Sequence, residues 1–188
     1  MEITQEFEVA QPIEKVWTAF QDVPSMAQCL PGAELTESKG NDVYLGTVSV
    51  KLGPMSPTFE GEATVTANEA TRTGVIEGKG ADKKGGSRGQ VSVTYTLVEK
   101  GENTDVSIVA EVALSGAAAQ FGRTGVMTEV SSRLIGEFAT CLEAKLSAGT
   151  AAESANIQAA EVDGLGLVAS SIASSGKSLV GRLFGKKS

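Results

Sequence analysis

Hydrophobic and polar residues alternate with a period of two through much of the first 115 residues of the chain. In residues 2–9, Ile3, Phe7 and Val9 share one parity, and the residues of the other parity are polar. This alternation is typical of a strand that packs one face on a core and turns the other toward water. The same pattern predicts a series of antiparallel strands from Glu34 onward.

Parity also indicates which side chains of the later strands face the core. The predicted inward residues are Tyr44, Val48, Val50 and Leu52 in 43–52, Phe59, Ala63 and Val65 in 58–67, Ile76 and Gly78 in 73–80, then Val91, Val93, Tyr95 and Leu97, and finally Val106, Ile108, Ala110, Val112 and Leu114. A polar loop at residues 99–103 separates the last two strands, as in a hairpin. With the first strand, these segments predict six or seven strands and a sheet that twists and curls.

Residues 116–146 change to helical periodicity, with apolar residues three and four positions apart and no proline. The apolar stripe consists of Phe121, Val126, Met127, Val130, Leu134, Ile135, Phe138, Cys141, Leu142 and Leu146. A curved sheet gripping one long helix encloses a space, and we look for function in that space. The predicted class is therefore α+β.

Two short helices are predicted between the first strand and the rest of the sheet. The first begins at Pro12, a residue suited to a first helical turn. It carries Val16, Trp17, Ala19 and Phe20 as its apolar face. The second begins at Pro24, carries Met26, Cys29 and Leu30, and ends at Pro31-Gly32. These helices are expected to support one edge of the cavity.

The 188 residues are enough for one substantial core and too few to favour two domains. We expect one domain over residues 1–146, a linker over 147–164 and a separate tail over 165–188. Residues 1–164 contain all 23 acidic residues against 12 basic ones, a formal charge of −11. A domain this acidic is a poor partner for nucleic acid, whose binding depends on neutralising phosphates.

The tail differs from the domain because it is basic and amphipathic. Its four basic residues are accompanied by no acidic residue. On a helical wheel, most of its large apolar residues fall on one arc, with serines opposite. The predicted membrane-binding residues are Leu165, Val168, Ile172, Lys177, Leu179, Arg182, Leu183, Phe184, Lys186 and Lys187. Docking at a membrane interface is the favoured interpretation, and a disordered end or a helix packed on the domain are the alternatives. A transmembrane span is not supported, since serines interrupt the apolar run.

The chain contains no histidine and only two cysteines, Cys29 and Cys141. This composition excludes histidine-dependent catalysis and most zinc, haem and iron–sulfur sites. Two reduced thiols buried in the core are favoured over a disulfide.

The glycine-rich segment 78–89 lacks the spacing of a phosphate loop and predicts a hairpin loop. The first residues do not have the pattern of a signal peptide, so a cytoplasmic protein is expected.

Several motifs resemble the CoxG family of carbon monoxide dehydrogenase subunits. They are residues 23–33 (Val-Pro-Ser-Met-Ala-Gln-Cys-Leu-Pro-Gly-Ala), residues 50–55 (Val-Lys-Leu-Gly-Pro-Met) and residues 59–61 (Phe-Glu-Gly). Residues 3–9 and 12–17 are similar to the start of the wider START/Bet v 1-like (SRPBCC) superfamily. The resemblance covers residues 1–146 and implies the helix-grip fold, a curved seven-stranded antiparallel sheet around a long C-terminal helix.

The resemblance also implies a non-catalytic accessory of a molybdenum-containing hydroxylase, here carbon monoxide dehydrogenase, peripherally associated with the inner face of the cytoplasmic membrane. It implies a hydrophobic ligand, and we expect a respiratory isoprenoid quinone of the menaquinone type that is carried between membrane and enzyme for electron transfer. No metal or covalent cofactor is predicted. The alternatives are a pure membrane-recruitment adaptor for the dehydrogenase and a cyclase- or hydrolase-type enzyme, for which Glu77, Glu111 and Glu137 are candidate acids or bases.

The candidate ligand-binding residues are the inward apolar and tyrosine side chains of the sheet and helices. They are Met26, Leu30, Tyr44, Val48, Phe59, Val93, Tyr95, Phe121, Met127, Val130 and Leu134. Small residues among them favour an unfilled cavity over a dry core. These are Gly46, Gly61, Ala63, Gly78, Ala110 and Ala118. Tyr44 or Tyr95 is expected to donate a hydrogen bond to a quinone carbonyl, and the alternative for either hydroxyl is that it points to solvent.

Overall fold

A computed structural model describes residues 1–123, 125–148 and 151–159 of the chain. Its sheet has seven antiparallel strands in the order β1-β7-β6-β5-β4-β3-β2. They are β1 Glu2–Val9, β2 Ala33–Gly40, β3 Val43–Ser49, β4 Thr58–Asn68, β5 Thr73–Asp82, β6 Ser87–Lys100 and β7 Asn103–Ser115. The predicted α+β helix-grip class is confirmed, with β2 as the seventh strand.

The helices are α1 Ile13–Gln21, α2 Val23–Cys29, a 3-10 helix at Gly116–Arg123, α3 Val126–Ser147 and α4 Ala151–Ala155. The prediction of one continuous helix over 116–146 was therefore wrong in its first part, because a 3-10 helix carrying Phe121 precedes α3. Glycines at 116, 122 and 125 disfavour a continuous α-helix there. No helix among the described residues is long and apolar enough to cross a membrane.

Turns in the sheet follow the sequence signals. Asn41 and Asp42 both have positive φ, as the two central residues of a type I′ hairpin turn require. The glycine-rich segment 78–89 is a hairpin, as predicted, with its turn at residues 83–86.

The third strand is shorter than predicted. β3 ends at Ser49, so Val50 and Leu52 lie in the following loop rather than in the strand. Gly53, with a φ of +60°, and Pro54 form the turn of that loop.

Four glycines stand in register across β3, β4, β5 and β6. Gly46 pairs with Gly61, Gly61 with Gly80, and Gly80 with Gly89. A Cβ on Gly61 would lie 1.9 Å from the carbonyl oxygen of Lys79, and one on Gly46 would lie 2.5 Å from that of Glu34. Glycine inside a strand often marks such a close approach of backbones. This glycine row therefore allows the sheet to bend toward the helix.

Replacing Gly61 with alanine is expected to lower the free energy of unfolding by about 1–3 kcal/mol, because the new methyl group meets backbone that cannot move aside. Gly136→Ala is the matched control, since a Cβ at that helical position meets nothing within 4 Å beyond its chain neighbours and the backbone of its own helix. The control is expected to raise the free energy of unfolding by about 0.5–1 kcal/mol. Urea denaturation of both variants measures the difference, and equal effects would contradict the steric role of Gly61.

Two apolar clusters lie at opposite ends of α3. The larger, which we call the α1-end core, contains Val9, Val16, Trp17, Phe20, Tyr95, Leu97, Val106, Ile108, Leu142 and Leu146. The smaller, the loop-end core, consists of Leu52, Ala118 and Met127, with half-buried Val50, Phe59, Val112, Leu114, Phe121 and Val130 packed on it. Helix α3 thus joins two separate packed regions, with Met127 near its start and Leu146 near its end.

Cys29 of α2 and Cys141 of α3 form a disulfide. The prediction of two reduced thiols was therefore wrong, although both cysteines are buried as expected. Helix α2 packs against the second half of α3, and the two Cα atoms lie 5.3 Å apart, within the range that a disulfide requires. The bond ties the short second helix directly to the long one.

A buried lysine lies one helical turn after the disulfide. Lys145 is 6% exposed, and its Nζ donates hydrogen bonds to Ser25 Oγ at 3.1 Å and Gln28 Oε1 at 2.8 Å. Burial lowers the pKa of the Lys145 ammonium, an effect that the charge of Asp22 opposes. The same α2–α3 contact therefore combines a covalent bond with a buried polar one.

The chain after α3 remains close to α2 for as far as it is described. The backbone N–H of Ala159 donates to the carbonyl oxygen of Gln28 at 2.9 Å. Within the predicted linker 147–164, the described part thus includes α4 and this contact. The predicted boundaries between domain, linker and tail stay a prediction, and the tail, residues 165–188, lies outside the described residues.

Candidate functional site

The inward face of the sheet opposite α3 is an apolar surface that α3 covers only in part, and we call this surface the groove. Among the strands, α3 approaches β1 most closely, so the inward faces of β3–β6 are less tightly covered. Their apolar side chains are half-buried, as are two residues of α3. We define the groove by these residues: Tyr44, Val48, Ala63, Val65, Ile76, Val91, Val93, Val130 and Leu134. A close-packed interior would bury such residues fully, so this surface remains open to contact with an apolar molecule.

The predicted ligand-binding residues are spread along this groove rather than gathered at one point. Phe59, Phe121, Met127 and Val130 belong to or pack on the loop-end core. Met26, Val93 and Tyr95 belong to or pack on the α1-end core. The remaining candidates, Leu30, Tyr44, Val48 and Leu134, are half-buried and belong to neither cluster. Their roles in ligand binding stay a prediction.

Tyr95 is a polar residue of the α1-end core, which adjoins the groove where Ile76 and Val93 pack on it. It is 2% exposed, and its ring lies 4.8 Å from that of Phe20 between centroids. Gly74 makes this position available, because a Cβ there would lie 2.1 Å from Cζ of the tyrosine ring. The hydroxyl has no hydrogen-bond partner among the described residues.

An unpaired hydroxyl in this position has energetic consequences. Burial raises the pKa of the Tyr95 phenol. The side chain of Gln21 opposes this in part, although it does not meet the geometry of a hydrogen bond to the hydroxyl. The amide of Gln21 itself donates to the carbonyl oxygen of Trp17 at 3.4 Å. A buried polar group without a partner costs about 1–3 kcal/mol. A ligand atom that accepts a hydrogen bond would remove this cost.

The candidate acids of the enzyme alternative lie elsewhere. Glu77 and Glu111 are exposed and flank Ser92 in register on the outer face of the sheet, opposite α3. Parity explains this, because Ile76, Gly78, Ala110 and Val112 face inward. Glu137 is a half-buried residue of α3. Neither glutamate of the sheet therefore lines the apolar groove.

The outer face has a concavity of about 700 Å³ that these glutamates help to line. Glu2 and Glu62 line it as well, together with Lys79, whose Nζ lies 2.8 Å from a carboxylate oxygen of Glu62. This pairing lowers the pKa of Glu62 and raises that of Lys79. Within the described ranges, no three histidine, cysteine, aspartate or glutamate side chains are grouped so as to hold a metal ion.

Sequence reasoning missed the contact between α2 and α3. The spacing of the residues in this contact was visible in the sequence. Cys141 and Lys145 are four residues apart on one helix, and Ser25 and Cys29 are four residues apart on the other. Each pair therefore lies on one side of its helix. Which two sides meet depends on how the helices pack, and one sequence does not reveal that.

The family comparison identifies one model that matches most of the chain. The model describes a carbon monoxide dehydrogenase subunit, CoxG, and matches residues 6–147. No curated protein matches the chain.

Solved structures with the same fold include proteins of several bacteria. A conserved protein from Geobacillus kaustophilus is 17% identical, with a TM-score of 0.66, covering 78% of this chain and 95% of its own. The Zhui aromatase/cyclase from Streptomyces sp. R1128 is 15% identical, with a TM-score of 0.54, covering 78% and 93%. A START superfamily protein from Mycobacterium smegmatis is 13% identical, with a TM-score of 0.53, covering 77% and 96%. At these identities the likeness shows the fold alone.

Proposed function

Because this chain belongs to the CoxG family of carbon monoxide dehydrogenase subunits, we propose that it is a non-catalytic accessory of a molybdenum-containing carbon monoxide dehydrogenase. It binds a respiratory isoprenoid quinone of the menaquinone type in the groove and carries it between the cytoplasmic membrane and the enzyme. The observation that carries the proposal is the half-buried apolar wall of the groove with the unpartnered Tyr95 hydroxyl at one end.

The two parts of a quinone, its isoprenoid chain and its ring, both match features of this groove. An isoprenoid chain is apolar and gains free energy when it covers half-buried valine and leucine side chains. A quinone ring carries carbonyl oxygens that accept hydrogen bonds, and the Tyr95 hydroxyl is a donor without a partner among the described residues. When bound, the quinone supplies the redox chemistry, while the chain's own residues bind, orient and shield it.

The membrane part of the proposal rests on the tail sequence. Residues 165–188 carry four basic residues and no acidic one, beside a domain with a formal charge of −11. Each basic residue near an anionic bilayer contributes about 1 kcal/mol, and the apolar arc adds to this by insertion. Attachment of this strength is reversible. Reversible attachment at the inner face of the membrane suits a carrier.

The simplest test is the lipid content of the purified protein. We expect organic extracts of the protein to contain a quinone detectable by mass spectrometry, and delipidated protein to bind added menaquinone. Absence of both the extracted quinone and the binding would defeat the carrier proposal and leave the recruitment adaptor.

Within the same binding experiment, Tyr95→Phe is expected to weaken menaquinone binding about fivefold to tenfold, the value of one net hydrogen bond of about 1–1.4 kcal/mol. The ligand-free variant should be no less stable than the wild type, because the lost hydroxyl has no partner among the described residues. Tyr44→Phe tests the alternative donor, and a loss of affinity in that variant alone would assign the hydrogen bond to Tyr44 instead. A loss of stability with unchanged affinity would assign Tyr95 a purely structural role.

A further inference from the structure

Three segments of the chain meet at the end of the molecule where α3 begins. They are the loop at 50–57, the β5–β6 turn with its flanks at 82–88, and the 3-10 helix at 116–123. Gln120 Nε2 lies 3.7 Å from Met55 Sδ, which joins the first segment to the third. The backbone N–H of Ala118 donates to Ser87 Oγ at 3.1 Å, which joins the second to the third. We call this region the basic tip.

The basic tip has a charge opposite to that of the domain around it. The three segments contain five basic residues and one acidic residue, Asp82. Lys51, Lys83, Lys84 and Arg88 are exposed, whereas Asp82 is buried and its carboxylate accepts the backbone N–H of Lys84 at 3.1 Å. Among the described side chains of the tip, only Lys83 forms an ion pair, with 2.8 Å between its Nζ and Oε2 of Glu60. Most of the positive charge therefore faces solvent.

Apolar groups accompany these charges. Pro54 is exposed and Met55 is half-buried at the turn of the 50–57 loop. Met1, a large apolar residue with 41% exposure, has its Sδ 3.9 Å from the position of a Cβ on Gly122. Apolar side chains ringed by lysines are typical of surfaces that enter a membrane interface. An acidic protein surface would form ion pairs with the lysines but would not bury these apolar groups.

We propose that the basic tip is a membrane-contact surface of the folded domain, one that binds an anionic lipid bilayer and sets the orientation in which the groove meets it. The inference rests on the proposed carrier function. The loop-end core is built in part from the tip's own segments, because it includes Leu52 of the 50–57 loop and Ala118 of the 3-10 helix. A domain seated on the tip therefore holds that end of the groove against the bilayer. An apolar ligand then passes between lipid and groove with little exposure to water.

The first test compares lysine variants of the full-length protein on vesicles of phosphatidylcholine with and without phosphatidylglycerol. Lys51→Gln/Lys83→Gln/Lys84→Gln is expected to weaken binding to the anionic vesicles roughly tenfold to a hundredfold, with no effect on neutral vesicles. Lys15→Gln/Lys39→Gln/Lys100→Gln removes the same charge from other exposed positions and serves as the control. Equal losses in both variants would overturn the proposal, since net charge alone would then explain them.

The second test reports orientation through tryptophan fluorescence in vesicles whose lipids carry brominated acyl chains. Met55→Trp in the full-length protein is expected to be quenched. Val98→Trp, at an exposed position of the β6–β7 hairpin, should not be quenched. Equal quenching at the two positions, or none at Met55→Trp on vesicle-bound protein, would overturn the proposal.

The tests also separate this inference from the proposed function. Menaquinone binding in detergent is expected to be unchanged in the Lys51→Gln/Lys83→Gln/Lys84→Gln variant, because these lysines lie outside the groove. A protein that binds anionic vesicles through the tip but never binds menaquinone would disprove the carrier function and leave the membrane surface standing. If this variant instead binds vesicles normally but no longer recruits the dehydrogenase, the tip is a protein-docking surface and the proposal is wrong.

Discussion

Loss of the Cys29–Cys141 disulfide is expected to lower the free energy of unfolding by about 3–5 kcal/mol. The two cysteines are 112 residues apart in sequence. In the chain-entropy model, a cross-link that closes a loop of roughly 100 residues lowers the entropy of the unfolded chain and so raises its free energy by about 4.7 kcal/mol. For a chain of this length, the corresponding fall in melting temperature is about 10 °C. Thermal and urea unfolding with and without dithiothreitol measure the change.

Helix α2 should loosen first when the disulfide is reduced. It spans only seven residues, and a helix this short has little stability without tertiary contacts. The contacts to α3 that remain among the described residues are the hydrogen bonds from Lys145 to Ser25 and Gln28 and the packing of Met26 on the α1-end core. Since α2 carries Met26 and ends beside Leu30, reduction is also expected to expose the nearby part of the groove. Faster hydrogen exchange within α2 than within α3 would show this local opening.

The Cys29→Ala/Cys141→Ala variant is the control for reduction. It should melt at the temperature of the reduced wild type, and dithiothreitol should not change that temperature. Single variants are expected to match the double variant, because either one removes the bond. A double variant as stable as the oxidised protein would show that packing alone holds α2 on α3.

The strands were predictable because each contains its own signal. Period-two alternation and turn residues such as Gly40-Asn41-Asp42 act locally, so parity identified the inward residues of β4 to β7 correctly. The start of α3 was predicted less well, because the apolar spacing continues through Phe121 while glycines interrupt the α-helix. The residue pattern predicted six or seven strands, and the resemblance to the family implied seven together with the overall arrangement.

The site was predictable only in part. Parity indicated which residues face α3, and the same parity that turns Ile76 inward turns Glu77 outward, away from the groove. The disulfide was not predictable, since pairing requires knowing which sides of α2 and α3 meet. The glycine row was equally hidden, because register between strands decides that Gly46, Gly61, Gly80 and Gly89 form one line. The half-burial of the groove depends on how far α3 stands from β3–β6, a property of the whole fold.

Filling the groove is expected to stop quinone delivery while leaving the membrane and enzyme contacts intact. Val130→Trp/Leu134→Trp adds two indole rings to half-buried positions one turn apart on α3, where they occupy the space proposed for the ligand. Menaquinone affinity should fall by about a hundredfold or more, because the rings and the ligand compete for one volume. Overpacking costs about 1–3 kcal/mol, so the variant's melting temperature must be measured alongside.

Thr140→Trp/Ala144→Trp is the matched control. These residues lie on the same helix with the same spacing of four, but both are exposed. The control adds the same rings to the solvent side of α3 and should bind menaquinone as the wild type does. A difference in menaquinone affinity between the two variants would therefore come from filling the groove and not from adding tryptophan to α3.

Electron delivery then distinguishes the carrier from the adaptor. If the chain carries quinone, membranes containing the dehydrogenase and the filled variant should still reduce an artificial acceptor, because the enzyme itself is untouched. They should no longer reduce the membrane quinone pool, since the only change is in the volume that holds the ligand. If the chain merely recruits the enzyme, the filled variant should support quinone reduction as well as Thr140→Trp/Ala144→Trp does, because both retain the tail and the basic tip. Equal quinone reduction by a folded, membrane-bound variant that no longer binds menaquinone would therefore reject the carrier proposal in favour of the adaptor.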